Sequence, residues 1–586
     1  MEIREKLAEF NQLFEIESNI FIYNSSDVDI SDYISKETPV ILVNRLESDF
    51  KLIYKVNKNA LVVVLLSESN RKELLSVLNE FLTRLRQLKV LLVLSNTMSD
   101  VETQLTLFQW AWQSGYTRIM SLHASPSANG THITLTSYTP FPELQLITVE
   151  QPEDYFRYTL PHDFQGHPIR TPLGQNPPGV FLYKDRNGQE QITGMAYSLF
   201  ANFIKLHNAT LQEVMLPAPY PEIVEHERII EALARDELDI SVHFYFADYD
   251  KWHITDTPFL WQQFFRVPHA KPRPVSDCVL APFEIEVRLF IFVYLCCVTV
   301  VFTCGSLVAS KISWLRRKTP PHRVSSTFIR LPHIAIQYLS AFIDHFLHLL
   351  ALLCFNANRH NQGHHNNSRL MLMYRFHAIL AFILVNIYNT LIVSFLTTEI
   401  FEPQMSSVAD VIASPYQIQI VEMDRHYFPN DTQLCEKLVV TSRAEFLQQL
   451  SNLNDSVILM TTAWTHAFYE LQELNLKVKR VHLLTSEIIW HAFCGMLMPL
   501  NSPYVEMLSI DLLRSFDAGL FWKAYLDATL HAIEGGILTM LPAEKENFFV
   551  LNVEYFLWAW CLCIGGLVLS SVVFLIEIYS FNSTRS

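Results

Sequence analysis

Apolar residues fall along this chain in two patterns, and the first is short and periodic. Over residues 39–138, β-branched and Leu-rich runs at 40–43, 61–66, 90–94 and 133–135 alternate with stretches of helical spacing. In the stretch 71–86 the spaced residues are Leu74, Leu75, Leu78, Phe81, Leu82 and Leu85. Strand and helix in alternation predict a small α/β domain with a parallel sheet. Residues 139–152 carry three prolines and read as a linker. The alternation restarts over 163–274, with a strand-like run at 180–183, helical runs at 195–206 and 228–234, and a strand at 238–243. It restarts again over 410–541, with strands at 417–421 and 457–461 and helices at 444–450, 504–516 and 520–533.

The second pattern is long and continuous. Residues 287–309, 370–398 and 555–576 are apolar runs of membrane-spanning length. As a helix, the middle one reaches roughly 40 Å, against about 30 Å for the hydrocarbon core of a bilayer. Its polar residues, Asn386, Tyr388, Asn389, Thr390, Ser394, Thr397 and Thr398, gather in its second half. Polar side chains at that depth face a helix bundle or a water path. A fourth run, 331–355, is interrupted by His333, Gln337, Asp344, His345 and His348. It reads either as a full span or as a re-entrant helix and loop lining protein or water.

Charge fixes the expected sidedness. Lys311, Arg316, Arg317, Lys318 and Arg323 follow the first span and mark its far side as cytoplasmic, which puts everything before it outside. Glycosylation triplets begin at Asn24, Asn129, Asn208, Asn430 and Asn454, on both sides of the central membrane block. If both flanks are outside, the block crosses an even number of times. Two full spans plus a re-entrant loop satisfy that, with the last span leading to a cytoplasmic C-terminus.

Composition adds exclusions. The 586 residues leave room for several domains, and a net charge of −15 argues against nucleic acid as a partner. The 9 cysteines are too few for a disulfide scaffold. Five of them, Cys296, Cys297, Cys304, Cys561 and Cys563, lie in apolar runs as small hydrophobes. Cys278, Cys435 and Cys494 lie outside these runs and leave room for one bridge, with Cys435–Cys494 the candidate pair. The first 19 residues, MEIREKLAEFNQLFEIESN, hold no signal-peptide core. With the N-terminus expected outside, a leader upstream of Met1 is favoured over translocation driven by the first span. No Ser–His–Asp set, paired carboxylates or phosphate loop stands out, so neither an enzyme nor a cofactor is expected. His360, His364 and His365 in RHNQGHHNN have no Cys or carboxylate close by, and no metal site is assigned to them.

The order of these parts carries a resemblance. An α/β stretch, a span, a re-entrant loop, a long polar-ended helix, a second α/β stretch and a last span is similar to the order of ionotropic glutamate receptors. Local matches follow that order. DIS at 239–241 and TPF at 257–259 resemble the end of the family's first ligand-binding stretch. PFEIEVRLFIFV resembles its first span, and YNTLIVSFLTT at 388–398 its gate signature, with Tyr388, Phe395, Leu396 and Thr397 coinciding. Ser502, Pro503 and Gly519 carry a match over 499–525. The finer resemblance is to the arthropod chemosensory ionotropic receptors, through the short N-terminal domain, SYTPFPEL and QGHPIRTPLGQNPPGVFLY.

The resemblance implies an α/β plus transmembrane α fold. A short extracellular α/β domain (1–152) precedes a periplasmic-binding-protein-like clamshell split into a first lobe (153–280) and a second lobe (399–552). Between the lobes come a span (281–310), a cytoplasmic linker with a re-entrant pore loop (311–369) and a pore-lining gate helix (370–398). A last span (553–577) and a cytoplasmic tail (578–586) close the chain. Of the ion path, Asp344, His345, His348 and Asn356 fall on the implied pore loop, and Tyr388, Asn389, Phe395, Leu396 and Thr397 on the gate.

For the pocket, the family's carboxylate-clamping Arg falls near Lys251, a flexible point charge in place of a planar fork. The family's acidic residue for the ligand amine falls on Thr461, with Thr462 beside it, so glutamate is not the expected ligand. Phe244, Tyr245, Tyr249, Trp252 and Trp464 offer aromatic surface near the implied cleft. The expected function is a ligand-gated cation channel subunit at the plasma membrane of a sensory dendrite, detecting a small taste or odour molecule. It would form a hetero-tetramer with co-receptor subunits of the same family. Two rivals are a non-conducting tuning or structural subunit and a transporter, and the latter would need repeated halves in its spans.

Overall fold

The computed structural model describes residues 2–25, 29–34, 37–43, 56–127, 130–157, 160–246, 252–274, 277, 279–316, 330–353, 368–397, 401–428, 432–476, 481–542 and 552–583. They form two compact units, Met1–His269 with Met405–Glu544 and Ala270–Gln404 with Lys545–Ser586.

The first unit opens with helix α1 (Glu2–Leu13) and a sheet of strands β1 (Ser18–Ile22), β2 (Val40–Val43), β3 (Ala60–Leu66), β4 (Lys89–Leu94), β5 (Ile119–Ser127), β6 (Gly130–Thr139) and β7 (Gln145–Thr148). Helices α2 (Arg71–Phe81), α3 (Val101–Gln113) and α4 (Pro152–Arg157) complete it. The sheet order is β2-β1-β3-β4-β5-β6-β7. β1 to β5 pair in parallel, and β6 and β7 add antiparallel. β3 reads ALVVVLL with every residue buried, as a strand covered on both faces must. Leu74, Leu75, Leu78 and Phe81 of α2 join one core face and Leu107 and Phe108 of α3 the same face. α1 covers the other with Leu7 and Phe10. The proline-bearing segment 139–152, expected as a linker, instead contributes edge strand β7. Pro140 and Pro142 occupy its hairpin turn, where a missing N–H costs no ladder bond.

The rest of this unit holds β8 (Pro168–Thr171), β9 (Phe181–Lys184), β10 (Glu190–Thr193), α5 (Met195–Leu206), β11 (Thr210–Glu213), α6 (His226–Ala234), β12 (Ser241–Tyr245), β13 (Trp252–Ile254) and β14 (Leu260–Pro268). At His269 the chain leaves for the second unit. It returns as α10 (Val408–Ala413), β15 (Ile418–Ile420), α11 (Thr432–Cys435), β16 (Leu438–Val440), α12 (Arg443–Ser451), β17 (Ile458–Thr462), α13 (Ala463–Glu470), β18 (His482–Leu484), β19 (Trp490–Phe493), β20 (Gly495–Pro499), α14 (Val505–Asp517) and α15 (Leu520–Glu534), numbered after the membrane helices below. The two passes exchange strands. β14, from before the inserted apolar helices, pairs with β17, β18 and β19 from after them. β20, from after them, runs between β12 and β13. The boundary between the two lobe-like stretches therefore does not follow the cut at residues 280 and 399. Residues 260–268 belong with the sheet of β15 to β18, and 495–534 with β12 and α5.

The sheet pair packs tightly on the N-terminal domain. Gly115, in the left-handed region at φ 80°, ends α3 against the turn at Asn501, where an added Cβ would meet the Asn501 carbonyl. Asn501 Oδ1 accepts from the Arg84 backbone N–H at 2.7 Å, and Arg118 pairs with Glu506 at 3.2 Å.

The second unit contains α7 (Ile285–Arg316), α8 (Arg330–Leu353), α9 (Ser368–Thr397) and α16 (Leu557–Ser583). Among the described residues, three stretches are long and apolar enough to cross a membrane: Ile285–Val308, Leu372–Thr397 and Val553–Tyr579. α7, α8 and α9 meet at Leu295, Phe302 and Leu349, with Tyr374 against them. The described part of α16 is exposed throughout, so a single chain leaves this apolar helix without cover.

Candidate functional site

Between the sheet of β12, β20 and β13 and that of β14 to β18 lies a cleft of about 110 Å³. Phe244 and Tyr245 reach it from the end of β12, Thr461 and Thr462 from the end of β17, and Trp464 from the first turn of α13. Lys251 lies outside the described residues. Trp252 packs with the cluster around Leu233 and Tyr245 and does not line the cleft. The Thr462 hydroxyl also caps α13, accepting from the Thr465 N–H at 3.1 Å. Trp464 packs among Phe259, Phe521, Trp522 and Tyr525 at 5.0–5.6 Å between centroids, tilted against Phe259 and Trp522 and edge-on to Phe521 and Tyr525. Trp261 Nε1 and Gln263 Oε1 are buried in the wall and have no hydrogen-bond partner among the described residues.

Two charged residues of the cleft were not found from sequence. Arg443 opens α12 just after its N-cap Ser442, and its Nη2 donates to Asn176 Oδ1 at 2.8 Å. Among the described residues no carboxylate lies within ion-pair distance of it. Burial pulls its pKa down, opposed by Asp424 and by Tyr469, Tyr245 and Glu227. Asp424 lies in a short 3-10 turn, 7% exposed, lining the same cleft, and no described residue hydrogen-bonds its carboxyl. Burial pushes its pKa up to about 7, against a downward pull from Arg443. The helix start was legible in S-R-A-E at 442–445, a capping pattern, but the direction of Arg443 was not. Asp424 sits in EMDRHY, where surrounding charge reads as a solvated turn.

Behind these, His243 is fully buried, and neither ring nitrogen is hydrogen-bonded to a described residue. Burial, and then Arg443, take its pKa down to about 3, and the same causes with His243 hold His226 well below the usual value. Both rings are neutral near pH 7. Among the described residues the cleft therefore presents one permanent cation, Arg443, one carboxyl raised by burial to about 7, Asp424, and a wall of aromatic and Met side chains.

In the second unit, the Tyr388 hydroxyl donates to the Val279 carbonyl at 2.9 Å, and its ring meets Phe283 at 5.8 Å. Asn389 is exposed, and Phe395 and Leu396 are half-buried. Asn386, Thr390 and Thr397 return hydrogen bonds to carbonyls of their own helix. On α8, Asp344 is exposed, His345 packs at 6.3 Å from Phe302, and His348 at 5.8 Å from Tyr374. Both imidazoles thus sit against neighbouring helices of the same chain. Asn356 lies outside the described residues.

Cys435 and Cys494 are both free. Cys494 is enclosed beside Phe259, whereas Cys435 is exposed and donates to the Phe428 carbonyl, so the expected bridge is not formed. Of the glycosylation triplets, Asn208 is exposed and donates to Asp163, Asn454 donates to Gln449, and Asn24 is half-buried. Asn129 and Asn430 lie outside the described residues.

No protein-family model matches the chain, and no curated protein is significantly similar to it.

Proposed function

We propose that this chain is a ligand-gated cation channel subunit whose cleft detects a small molecule other than glutamate. The observation that carries this reading is the interleaving of the two flanks. Residues before and after the central membrane helices build one body around one cleft, so a ligand there acts on both chain connections to the helices. Those connections are themselves paired: Pro272 bridges Phe401, the Glu402 N–H donates to the Lys271 carbonyl at 2.9 Å, and the Ala270 N–H to Gln404 Oε1 at 2.7 Å.

In this reading the two sheets close as a clamshell on the ligand, and closure draws the paired connections and spreads the ends of α9. The ligand shifts gating only by its differential affinity for closed and open states. Leu391, Ile392 and Val393 give α9 an apolar crossing, suited to a gate that closes by dewetting. Charge disfavours glutamate. It brings two carboxylates, while Arg443 is the one permanent cation among the described residues lining the cleft. The uncovered α16 supports assembly with further subunits, and the resemblance to chemosensory ionotropic receptors supports a hetero-tetramer with co-receptors, an outside N-terminus and a cytoplasmic C-terminus.

The test is current recording from cells that express the chain with candidate co-receptors, with surface delivery verified, against a panel of tastants and odorants. Ligand-dependent cation current is expected. Silence despite surface delivery removes the conducting role and leaves the tuning subunit, and current evoked by glutamate alone removes the reading of the pocket.

A further inference from the structure

A ring from one sheet fills an aromatic box on the other. Phe246, the residue after β12, packs against Tyr427, Trp490 and Trp261, which belong to the opposite body: Tyr427 in the 3-10 turn that holds Asp424, Trp490 at the start of β19, and Trp261 on β14. Tyr427 and Trp490 stack at 4.0 Å between centroids. The Phe246 ring stands near-perpendicular to them, at 5.7 and 4.4 Å, and meets Trp261 at 5.8 Å in the same manner. All three are attractive edge-to-face contacts.

The polar atoms around this box are left without partners. Gln263 is 5% exposed, and its Oε1 has no hydrogen-bond partner among the described residues. The same holds for the buried indole N–H groups of Trp261 and Trp490. The three side chains share one face of the β14–β19 pair. Trp261 and Gln263 are two residues apart on β14, roughly 7 Å of strand. Gln263 lies directly opposite Trp490, where paired Cα atoms are about 5 Å apart. On its other side Gln263 faces Thr462, whose hydroxyl is already engaged with Thr465. Trp261, Gln263 and Phe246 all line the cleft. Two donors and one acceptor thus stand empty in an apolar wall, which costs stability. The phenyl ring of Phe246 covers them and offers at most a weak π contact.

We infer that Phe246 holds the place of the ligand, and that a planar uncharged ring carrying an amide-type edge, an aromatic carboxamide or lactam, displaces it. The ligand carbonyl accepts from the indole N–H groups, and its N–H donates to Gln263 Oε1. The inference rests on the cleft being the ligand site of the proposed receptor. Other classes complete the three groups less well. An ammonium has no lone pair for the indoles, and a carboxylate has no N–H for Gln263 and sets its charge against that oxygen. A hydroxyl presents donor and acceptor from one atom, whereas these side chains are spread over two strands. Because Phe246 comes from the opposite sheet, ligand entry replaces one clasp between the sheets with another, and the ligand has to outcompete a ring of the chain itself.

The test uses the full chain in nanodiscs, with binding of benzamide, acetophenone, benzoate and benzylammonium read by calorimetry. Benzamide is expected to bind tightest. Acetophenone keeps the ring and carbonyl but lacks the N–H, and is expected to bind about tenfold more weakly, since it leaves Gln263 unpaired. Gln263→Met keeps the volume and removes the acceptor. It is expected to bring these two ligands to equal affinity and to raise the melting temperature of the ligand-free protein. A purely structural glutamine would instead lower it. Phe246→Ala empties the box and is expected to tighten benzamide by up to about tenfold. Equal affinities for benzamide and acetophenone in the unsubstituted protein overturn the inference. So do tighter binding of benzoate or benzylammonium, weaker benzamide binding by Phe246→Ala, or no binding of any of the four. Benzamide binding with this selectivity in a chain that passes no current leaves the inference standing and removes the channel reading. Current evoked by a ligand that does not compete with benzamide does the reverse.

Discussion

Single residues in this cleft are governed by burial more than by pairing. Asp424 keeps its proton to about pH 7 in the fold and to about 3.9 in an unfolded chain. The folded state therefore binds more protons between those values. The stability this provides is fully present below the unfolded pKa and is lost as pH rises through 7. Asp424→Asn is expected to melt above the unsubstituted protein by a margin that is clearly larger at pH 8 than at pH 5, as read by thermal unfolding in detergent. Equal shifts at both pH values would show that Asp424 is better solvated than its 7% exposure suggests. Gly115 is constrained for a different reason. A Cβ there would run into the backbone carbonyl of Asn501, and the φ of 80° is strained for any L side chain. Gly115→Ala is expected to lower the melting temperature by several degrees, through loss of about 1 kcal/mol or more.

Elements show how local rules and cleft geometry share residues. α13 begins at Thr462, whose hydroxyl satisfies an otherwise orphaned N–H, and that cap points the first turn, with Trp464, at the cleft. Thr462→Val keeps the shape and removes the cap, an expected loss of about 1 kcal/mol. Thermal unfolding measures that loss, and Thr462→Ser is expected to restore most of it. In α9, Asn386, Thr390 and Thr397 each donate to a carbonyl of their own helix, so these three donors need no external partner. β7 runs against the local signal. Prolines flanking it suggested a linker, yet Pro140 and Pro142 sit in the turn and leave Gln145–Thr148 free to pair with β6.

At the scale of the whole chain, the exchange of strands across the inserted apolar helices is the organising fact. β14 and β20 each lie among strands from the other side of the insertion, so neither flank can complete its sheets alone. The chain connections pair where they enter the second unit, at Pro272 and Phe401. Joint substitution Pro272→Cys and Phe401→Cys is expected to form a disulfide under mild oxidation, seen as a cleavage-resistant link after proteolysis between the two halves. In cells that show ligand-evoked current, that link is expected to reduce the current reversibly, with recovery on reduction. Oxidation that forms the link without altering current would separate the connections from gating.

The grouping of Phe244, Tyr245, Thr461, Thr462 and Trp464 was implied by the resemblance, whereas the sequence alone determined the alternation that makes the α/β stretches and the three apolar runs long enough for a membrane. Those properties are local: they follow from periodicity, run length and order along the chain. Only the tertiary structure decided that β14 crosses to one sheet and β20 to the other, that Cys435 and Cys494 stay apart, and that Arg443 and Asp424 line the same cleft. Strand exchange depends on pairing across an insertion longer than a hundred residues. A side chain's charge state and direction depend on what packs around it, and neither dependence leaves a periodic trace in the sequence.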